Sequence, residues 1–260
     1  MTGLPLFYRS VVPLDRERHR TLALAQPQRF DFARASHLVP AVIDEFGPAC
    51  RHLPILFLPE SLGPTPVFLV GVRPGRSALV GADGAWTGRY LPAYLRRYPF
   101  IVGEVEDAEP LICFDETAPT LVTGAESETP SHAAPLFGGD GADSPLLAER
   151  VGLVIEYAAA AQRTALFGRV LQDLALLRPL TVEGQDPADG ARHTLHGVLG
   201  VDEAALAALA ASDGDRLRRE GWLGPIHAHL VSLQSIGDFT LPFAAPPAGA
   251  DGAEAPGAAV

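Results

Sequence analysis

The chain has 260 residues, of which 47% are hydrophobic, and this is enough apolar material to bury one sizeable core. Its formal net charge of −11 is spread along the sequence, so we expect no sequence-independent binding to nucleic acid. All 20 strongly basic residues are arginine, which excludes Schiff-base catalysis and lysine general bases. The two cysteines, Cys50 and Cys113, lie beside large apolar residues, and we predict that both are free thiols.

The first half of the chain predicts a small β meander and one short helix. Residues 31–43 are compatible with a short helical turn and a connection, and Pro40 limits the length of any helix there. Pro92 can open a helix over AYLRR, and Tyr98 and Pro99 must end it. Short β-branched and aromatic runs, separated by turns with Pro and Gly, predict strands at 53–58, 66–72, 76–81, 99–105 and 110–115.

The second half predicts helices followed by a hairpin. Residues 116–143 are rich in Thr, Ala, Gly, Pro and acidic residues, and we expect a mobile loop there. Ser144 can cap the helices of 145–177, where apolar residues recur at helical spacing in two phases. Residues 180–201 predict a β hairpin whose turn is DPADG, and Asp202 can cap the helix that follows.

A strand-like run at 225–233 closes the predicted fold. We expect one α+β domain over residues 1–243, with two or more helices packed on an antiparallel or mixed β-sheet. The low-complexity segment 244–260 is expected to be a disordered tail. The opening residues lack an apolar signal region, and no window of about 18 apolar residues occurs, so we expect a cytoplasmic protein without membrane insertion.

Several sequence blocks occur in an order that is similar to that of one known family. They are PILF, ALVGADGAWTGRYLPAYLRRYPFIVG, LFGGDG before SPLLAERV, DGARHTLHGV, VDEAALAAL and GWLGPIHAHLVSLQSI. Over residues 30–237 the chain therefore resembles the SapC family of bacterial proteins, and YLPAYLRRYPF is the most specific block. The resemblance implies an association with bacterial surface layers and genes that often lie near TonB-dependent receptors. It implies no catalytic residues.

The stretch GRYLPAYLRRYPFIVG, residues 88–103, is the densest aromatic segment of the chain. A guanidinium group binds carboxylates bidentately and stacks on rings, so arginines beside tyrosines suit the recognition of acidic or aromatic groups. Candidate ligand- or partner-binding residues are therefore Tyr90, Tyr94, Arg96, Arg97 and Phe100. The alternative is that the aromatic residues are buried in the core while the arginines pair with acids of the same chain.

The segment GWLGPIHAH, residues 221–229, matches the opening of a cupin metal-binding motif. On a strand, His227 and His229 would point to the same side and could bind one metal ion. However, Gln234 stands where the motif has a glutamate, so this pair is only an alternative metal site and we expect no cofactor. Trp222 and His229 are added to the candidate ligand- or partner-binding residues.

The sequence therefore predicts a non-catalytic cytoplasmic binding or accessory protein. Its partner would be a protein, a peptide or a small ligand, in the context of TonB-dependent nutrient uptake or of surface or peptide modification that the resemblance implies. The alternative is an enzyme with a His-centred, cupin-like site at His227 and His229, which acts with or without a metal ion. A third hypothesis is a purely structural surface-layer component. No G-x-S-x-G motif occurs, and neither cysteine lies in a basic context that would activate a thiol.

Overall fold

The structure is a computed structural model and describes residues 4–103, 111–123, 133–186 and 188–239. These residues form an α+β fold with three antiparallel sheets. The eleven strands of the described part are β1 (Val11–Pro13), β2 (Leu22–Ala25), β3 (Leu38–Pro40), β4 (Ile55–Leu58), β5 (Thr65–Leu69), β6 (Phe100–Gly103), β7 (Leu111–Asp115), β8 (Leu121–Thr123), β9 (Ala133–Pro135), β10 (Leu177–Gln185) and β11 (Arg192–Val201).

Six α-helices and three short 3-10 helices lie in the same described part of the chain. The α-helices are α1 (Phe46–Ala49), α2 (Ala93–Arg97), α3 (Pro145–Asp173), α4 (Glu203–Ala207), α5 (Ala211–Arg219) and α6 (Leu223–Ser232). The 3-10 helices span Asp31–Ala33, Ile43–Glu45 and Leu233–Phe239.

The largest sheet has five strands in the order β10-β11-β4-β5-β3, and both of its faces are covered. Successive side chains of a strand point to opposite faces. Accordingly, Ile55 and Phe57 of β4 belong to the main hydrophobic core, whereas Leu56 between them belongs to a second cluster with Val67 and Leu69. This double burial explains why β4 is a continuous apolar run and not an alternating one.

The long helix α3 packs against the main core. Ser144 caps it as predicted, because its Oγ accepts a hydrogen bond from the Leu147 N–H at 3.2 Å. Phe167 is fully buried and packs against Phe57, with their ring centroids 6.3 Å apart. At Gly168 the helix lies so close to the Pro64 carbonyl that an added Cβ would collide with that oxygen.

The two other sheets have three strands each, in the orders β1-β7-β6 and β8-β2-β9. They join the first strands of the chain to segments far along it, with Val12 opposite Phe114 and Leu24 opposite Ala134. Asp115 at the end of β7 is fully buried and accepts hydrogen bonds from the backbone N–H groups of Arg9 and Ser10. Although burial opposes it, the pKa of Asp115 is lowered by these and other hydrogen bonds.

Most of the predicted elements form, although several bounds differ. The helix over AYLRR, the hairpin with its turn at DPADG and the Asp202 cap are confirmed. The strand predicted at 76–81 is wrong, since only an isolated bridge between Val80 and Trp86 forms there. The two helical phases of 145–177 form one continuous helix, and β8 and β9 lie within the segment expected to be a loop at 116–143.

The prediction of a strand at 225–233 is also wrong, because these residues form α6 and the start of the last 3-10 helix. Cys50 and Cys113 are both free, as predicted. Burial raises the pKa of Cys113, which disfavours its thiolate. Across the described residues, no helix combines the length and the apolar character that crossing a membrane requires. The predicted tail at 244–260 lies outside the described residues.

Candidate functional site

The helix α2 is a five-residue turn that places two consecutive arginines beside buried neighbours. It starts after Pro92, and the N–H of its first residue, Ala93, donates to Oε1 of Glu45 at 2.6 Å. It ends at Arg97, and the next residue, Tyr98, has the extended backbone that a following proline such as Pro99 favours. The prolines on both sides therefore fix the length of the helix and the positions of its arginines.

Glu45 is the buried acid of this region and is only 4% exposed. Its Oε1 accepts hydrogen bonds from the Ala93 N–H and from the Tyr90 hydroxyl, the latter at 2.9 Å. Its Oε2 is buried and has no hydrogen-bond partner. Burial raises the pKa of Glu45, against the opposing effect of these hydrogen bonds and of Arg96.

Arg97 is buried among tyrosine rings and is only 6% exposed. Its guanidinium carbon lies 4.4 Å from the ring centroid of Tyr94, 4.3 Å from that of Tyr157 and 5.5 Å from that of Tyr8. These distances are those of cation–π contacts, which strengthen where water is excluded. No carboxylate of the described residues forms an ion pair with Arg97, and its Nε is buried without a hydrogen-bond partner.

Arg96 and Arg150 lie side by side at the more open edge of the same region. The Arg96 side chain is 40% exposed, and its Nη2 lies 3.9 Å from Oε1 of Glu45, too far for a hydrogen bond. Arg150 of α3 donates from Nη1 to the Arg96 carbonyl at 2.9 Å. Burial and repulsion from Arg96 lower the pKa of Arg150, although Glu149 opposes this.

Together these residues form a positively charged site that we name the arginine–tyrosine cluster. Its members are Glu45, Tyr90, Tyr94, Arg96, Arg97, Arg150 and Tyr157. Of the three guanidinium groups only that of Arg96 lies near the Glu45 carboxylate, and each of the three has a buried Nε without a hydrogen-bond partner. Arginine remains charged in proteins, so the cluster carries more positive charge than its one acid can balance. Such a site is suited to an incoming anion.

The family model described as SapC matches residues 14–239. The chain belongs to the SapC family. Searches of curated proteins and of solved structures find no match. The match covers α2, α3 and the 3-10 helix that carries Glu45, so the whole arginine–tyrosine cluster lies within the part of the chain that defines the SapC family.

Within this SapC-family fold, the structure places four of the seven predicted site residues in one region. Tyr90, Tyr94, Arg96 and Arg97 belong to the arginine–tyrosine cluster, with the Tyr94 hydroxyl donating to the Leu6 carbonyl at 3.0 Å. Phe100, the first residue of β6, is fully buried in a different hydrophobic cluster. The burial of Phe100 agrees with the alternative hypothesis that the aromatic residues of this stretch lie in the core.

The remaining predicted residues lie on and beside α6. Trp222 is half-buried, stacks near Phe167 and donates from its ring N–H to Glu220 at 2.8 Å. His229 is fully buried and accepts a hydrogen bond from the Val201 N–H at 3.0 Å. Burial lowers the pKa of His229 to about 4, so the ring is neutral at pH 7. His229 therefore fixes α6 to β11.

The alternative metal site at His227 and His229 requires both residues to lie on a strand. This requirement is not met, because both lie on the helix α6. Residues two apart on an α-helix point in directions about 200° apart and do not face a common ligand. Accordingly, His227 is exposed while His229 is buried. A different set of ligand-type side chains, Asp186, Asp189 and His193, comes together at the hairpin turn.

Three members of the arginine–tyrosine cluster, Glu45, Arg150 and Tyr157, were not predicted from the sequence. Glu45 stands in a short 3-10 helix, and the other two lie about two turns apart on α3. Within α3, Tyr157 occupies the buried stripe with Val154, and this apolar periodicity identifies it only as a core residue. No local pattern connects these positions with α2.

Proposed function

We propose that the protein is a non-catalytic, cytoplasmic binding or accessory protein that recognises an oxyanionic group at the arginine–tyrosine cluster. The group would be a carboxylate or a phosphate carried by a peptide, a small ligand or a protein partner. The observation that carries the proposal is the charge imbalance of the cluster, in which Arg96 lies 3.9 Å from the Glu45 carboxylate while Arg97 and Arg150 form no ion pair among the described residues.

The energetic argument concerns the cost of a buried charge. A cation that is removed from water and has no matching anion destabilises a fold by several kcal/mol, on the order of 3–5 kcal/mol. Arg97 is such a cation, and cation–π contacts with tyrosines offset only part of that cost. An anion that binds next to Arg96 and Arg150 would supply the missing charge, because planar guanidinium groups match the oxygens of carboxylate and phosphate.

The cellular role proposed here follows from the family and not from the cluster. A cytoplasmic SapC-family protein that binds acidic groups fits a link to TonB-dependent nutrient uptake or to the modification of surface components or peptides. The outcome of cell fractionation tests the location: recovery of the native protein from the cell surface alone would contradict the proposal and favour a surface-layer component.

Binding is tested on the full chain with defined probes. Acetate, succinate, citrate and inorganic phosphate are titrated by calorimetry, and the melting temperature is followed in parallel. At least one probe should bind saturably and raise the melting temperature, since a ligand of the native state stabilises it. Arg96→Gln and Arg150→Gln should each weaken this binding about tenfold or more, because each removes a charge-assisted hydrogen-bond donor.

Arg163→Gln is the matched control, since Arg163 lies on the same helix as Arg150 but pairs with Asp44 at the surface. It should bind the probe as the wild type does. An equal loss in all three variants would assign the effect to general surface charge and would contradict the proposal. For a macromolecular ligand, pull-down from the native cell is compared between the wild type and Arg96→Gln. A partner that both capture equally does not bind at the cluster.

A further inference from the structure

The turn of the β10–β11 hairpin brings two aspartates and a histidine together. Asp186, Asp189 and His193 each place a potential ligand atom within 4.8 Å of those of the other two. The turn is closed by hydrogen bonds between Asp186 and Ala191 and between Gly190 and Asp186. Because the backbone fixes the turn, the three side chains are held on one short segment. We name them the hairpin-tip cluster.

Asp186 is buried and His193 is half-buried, and each has a buried ligand atom without a hydrogen-bond partner. Asp186 is only 3% exposed, and although its Oδ1 accepts from the Ala188 N–H at 2.9 Å, its Oδ2 has no hydrogen-bond partner. Nε2 of His193 is also buried without a partner. A buried carboxylate oxygen or ring nitrogen without a partner is unfavourable, so each of these atoms favours a ligand that can accept its lone pair.

Arg73 marks a position between the two carboxylates at which positive charge is favoured. Its Nη1 lies 3.1 Å from Oδ2 of Asp189 and 3.7 Å from Oδ2 of Asp186. Nη1 of Arg76 lies 3.8 Å from the same Asp186 oxygen. Neither arginine reaches hydrogen-bond distance of Asp186, so this buried oxygen has charge nearby but no bond.

Both arginines can leave this position at little cost. Their side chains are 43% exposed, so either guanidinium can turn into solvent and regain its hydration there. The buried Asp186 has no such freedom. A compact cation that replaces the Arg73 guanidinium would bond to Asp186 directly, which the arginine does not do.

From this arrangement we infer that the hairpin-tip cluster binds one divalent transition-metal ion, with Asp186, Asp189 and His193 as ligands and Arg73 turned out to solvent. One imidazole with two carboxylates is a ligand set of the zinc type, completed by water, whereas calcium and magnesium prefer oxygen ligands only. This site is separate from the arginine–tyrosine cluster and does not depend on the function proposed for that cluster.

Zinc titration of the metal-stripped full chain by calorimetry tests the inference. The wild type should bind one zinc ion per chain. His193→Gln and Asp186→Asn should each lower the affinity about tenfold or more, as expected when a metal ligand is lost. Arg73→Gln should raise the affinity, because the zinc ion then no longer displaces the guanidinium that lies between the two carboxylates. Circular dichroism checks the fold of each variant, and His193→Gln decides the question if Asp186→Asn does not fold.

His227→Gln is the control for binding to exposed imidazole, since His227 lies on the surface of α6. It should leave the zinc affinity unchanged. The inference is overturned if the wild type shows no saturable zinc binding, if His227→Gln loses as much affinity as His193→Gln, or if Arg73→Gln binds zinc more weakly than the wild type. The last outcome would show that the arginine supports the site and does not occupy it.

Discussion

The guanidinium carbon of Arg97 lies 4.3 Å from the ring centroid of Tyr157, and no described carboxylate pairs with it. The aromatic rings around Arg97 hold a charge in the interior without neutralising it. Burial raises the pKa of Tyr157, so this hydroxyl stays protonated and contributes no negative charge at neutral pH. The positive charge near α2 is therefore a permanent property of the native fold.

Substitution of Arg97 separates the effect of its charge from the effect of its packing. Arg97→Met keeps most of the volume between the tyrosine rings and removes the buried charge, so the free energy of unfolding should be unchanged or higher. Arg97→Ala leaves a cavity and should lower it by about 2–4 kcal/mol. Denaturant titration measures both. A Met variant as unstable as the Ala variant would show that the charge itself stabilises the fold.

Glu45 should make the native state less stable as the pH rises. Its carboxyl has a raised pKa in the folded protein, so the native state holds a proton that the unfolded state has released. Stability is therefore lost as the pH rises above the unfolded pKa, near 4.3. Glu45→Gln removes this dependence, and the free energy of unfolding of the wild type relative to the variant should fall from pH 4 to pH 7.

The control for this measurement is Glu156→Gln, which changes an exposed glutamate of α3. Its stability curve should run parallel to that of the wild type over the same pH range. If Glu45→Gln also runs parallel to the wild type, the Glu45 carboxyl titrates normally and the account of its burial is incorrect.

His229 should have the opposite effect, a loss of stability in acid. Its pKa is lowered to about 4 in the native state, so the unfolded state binds more protons below pH 6.5. Between pH 6.5 and pH 4 the wild type should lose about 3 kcal/mol through this residue. His229→Gln retains a hydrogen-bond acceptor for the Val201 N–H and should flatten the curve. His227→Gln, two residues away and exposed, should not.

Two glycines of α3 should respond to alanine with opposite signs. At Gly168 the added methyl group collides with the Pro64 carbonyl, and Gly168→Ala should lower the free energy of unfolding by about 1–3 kcal/mol. At Gly152 nothing lies near the added methyl group, and Gly152→Ala should raise stability by about 0.5–1 kcal/mol through helix propensity. Thermal unfolding of the two variants compares them directly. Equal shifts would exclude the close approach of α3 to Pro64.

Secondary-structure elements that are bounded by prolines could be predicted from the sequence. The helix α2 lies between two prolines, and β4 is an apolar run that ends at a further proline, so both were found. In α6, by contrast, the buried residues Ile226, His229 and Ser232 recur every three positions, but two of them are polar. A search for apolar residues at helical spacing therefore does not detect this helix. The short alternation of apolar and polar residues around His227 favours a strand instead.

The candidate site could be predicted only where its residues are neighbours in sequence. The aromatic and basic composition of α2 indicated Arg96 and Arg97, because the chemistry of those side chains is local. Glu45 and Arg150 reach the site through the tertiary fold, from about 50 residues away on either side, and no periodicity reports such a distance. The hairpin-tip cluster could be predicted only in part. The sequence predicts the turn but not the approach of Arg73 to it.

The pairing of the first strands with late ones has a consequence for synthesis of the chain. Residues 11–13 leave the ribosome before their partners at 113–115, and residues 22–25 leave it before theirs at 121–123 and 133–135. Until those partners have emerged, each segment has unsatisfied backbone hydrogen-bonding groups, the feature that makes strand edges associate with other chains. A nascent chain that ends before residue 135 should be the most aggregation-prone form of the protein. It is the form for which a ribosome-bound chaperone would matter most.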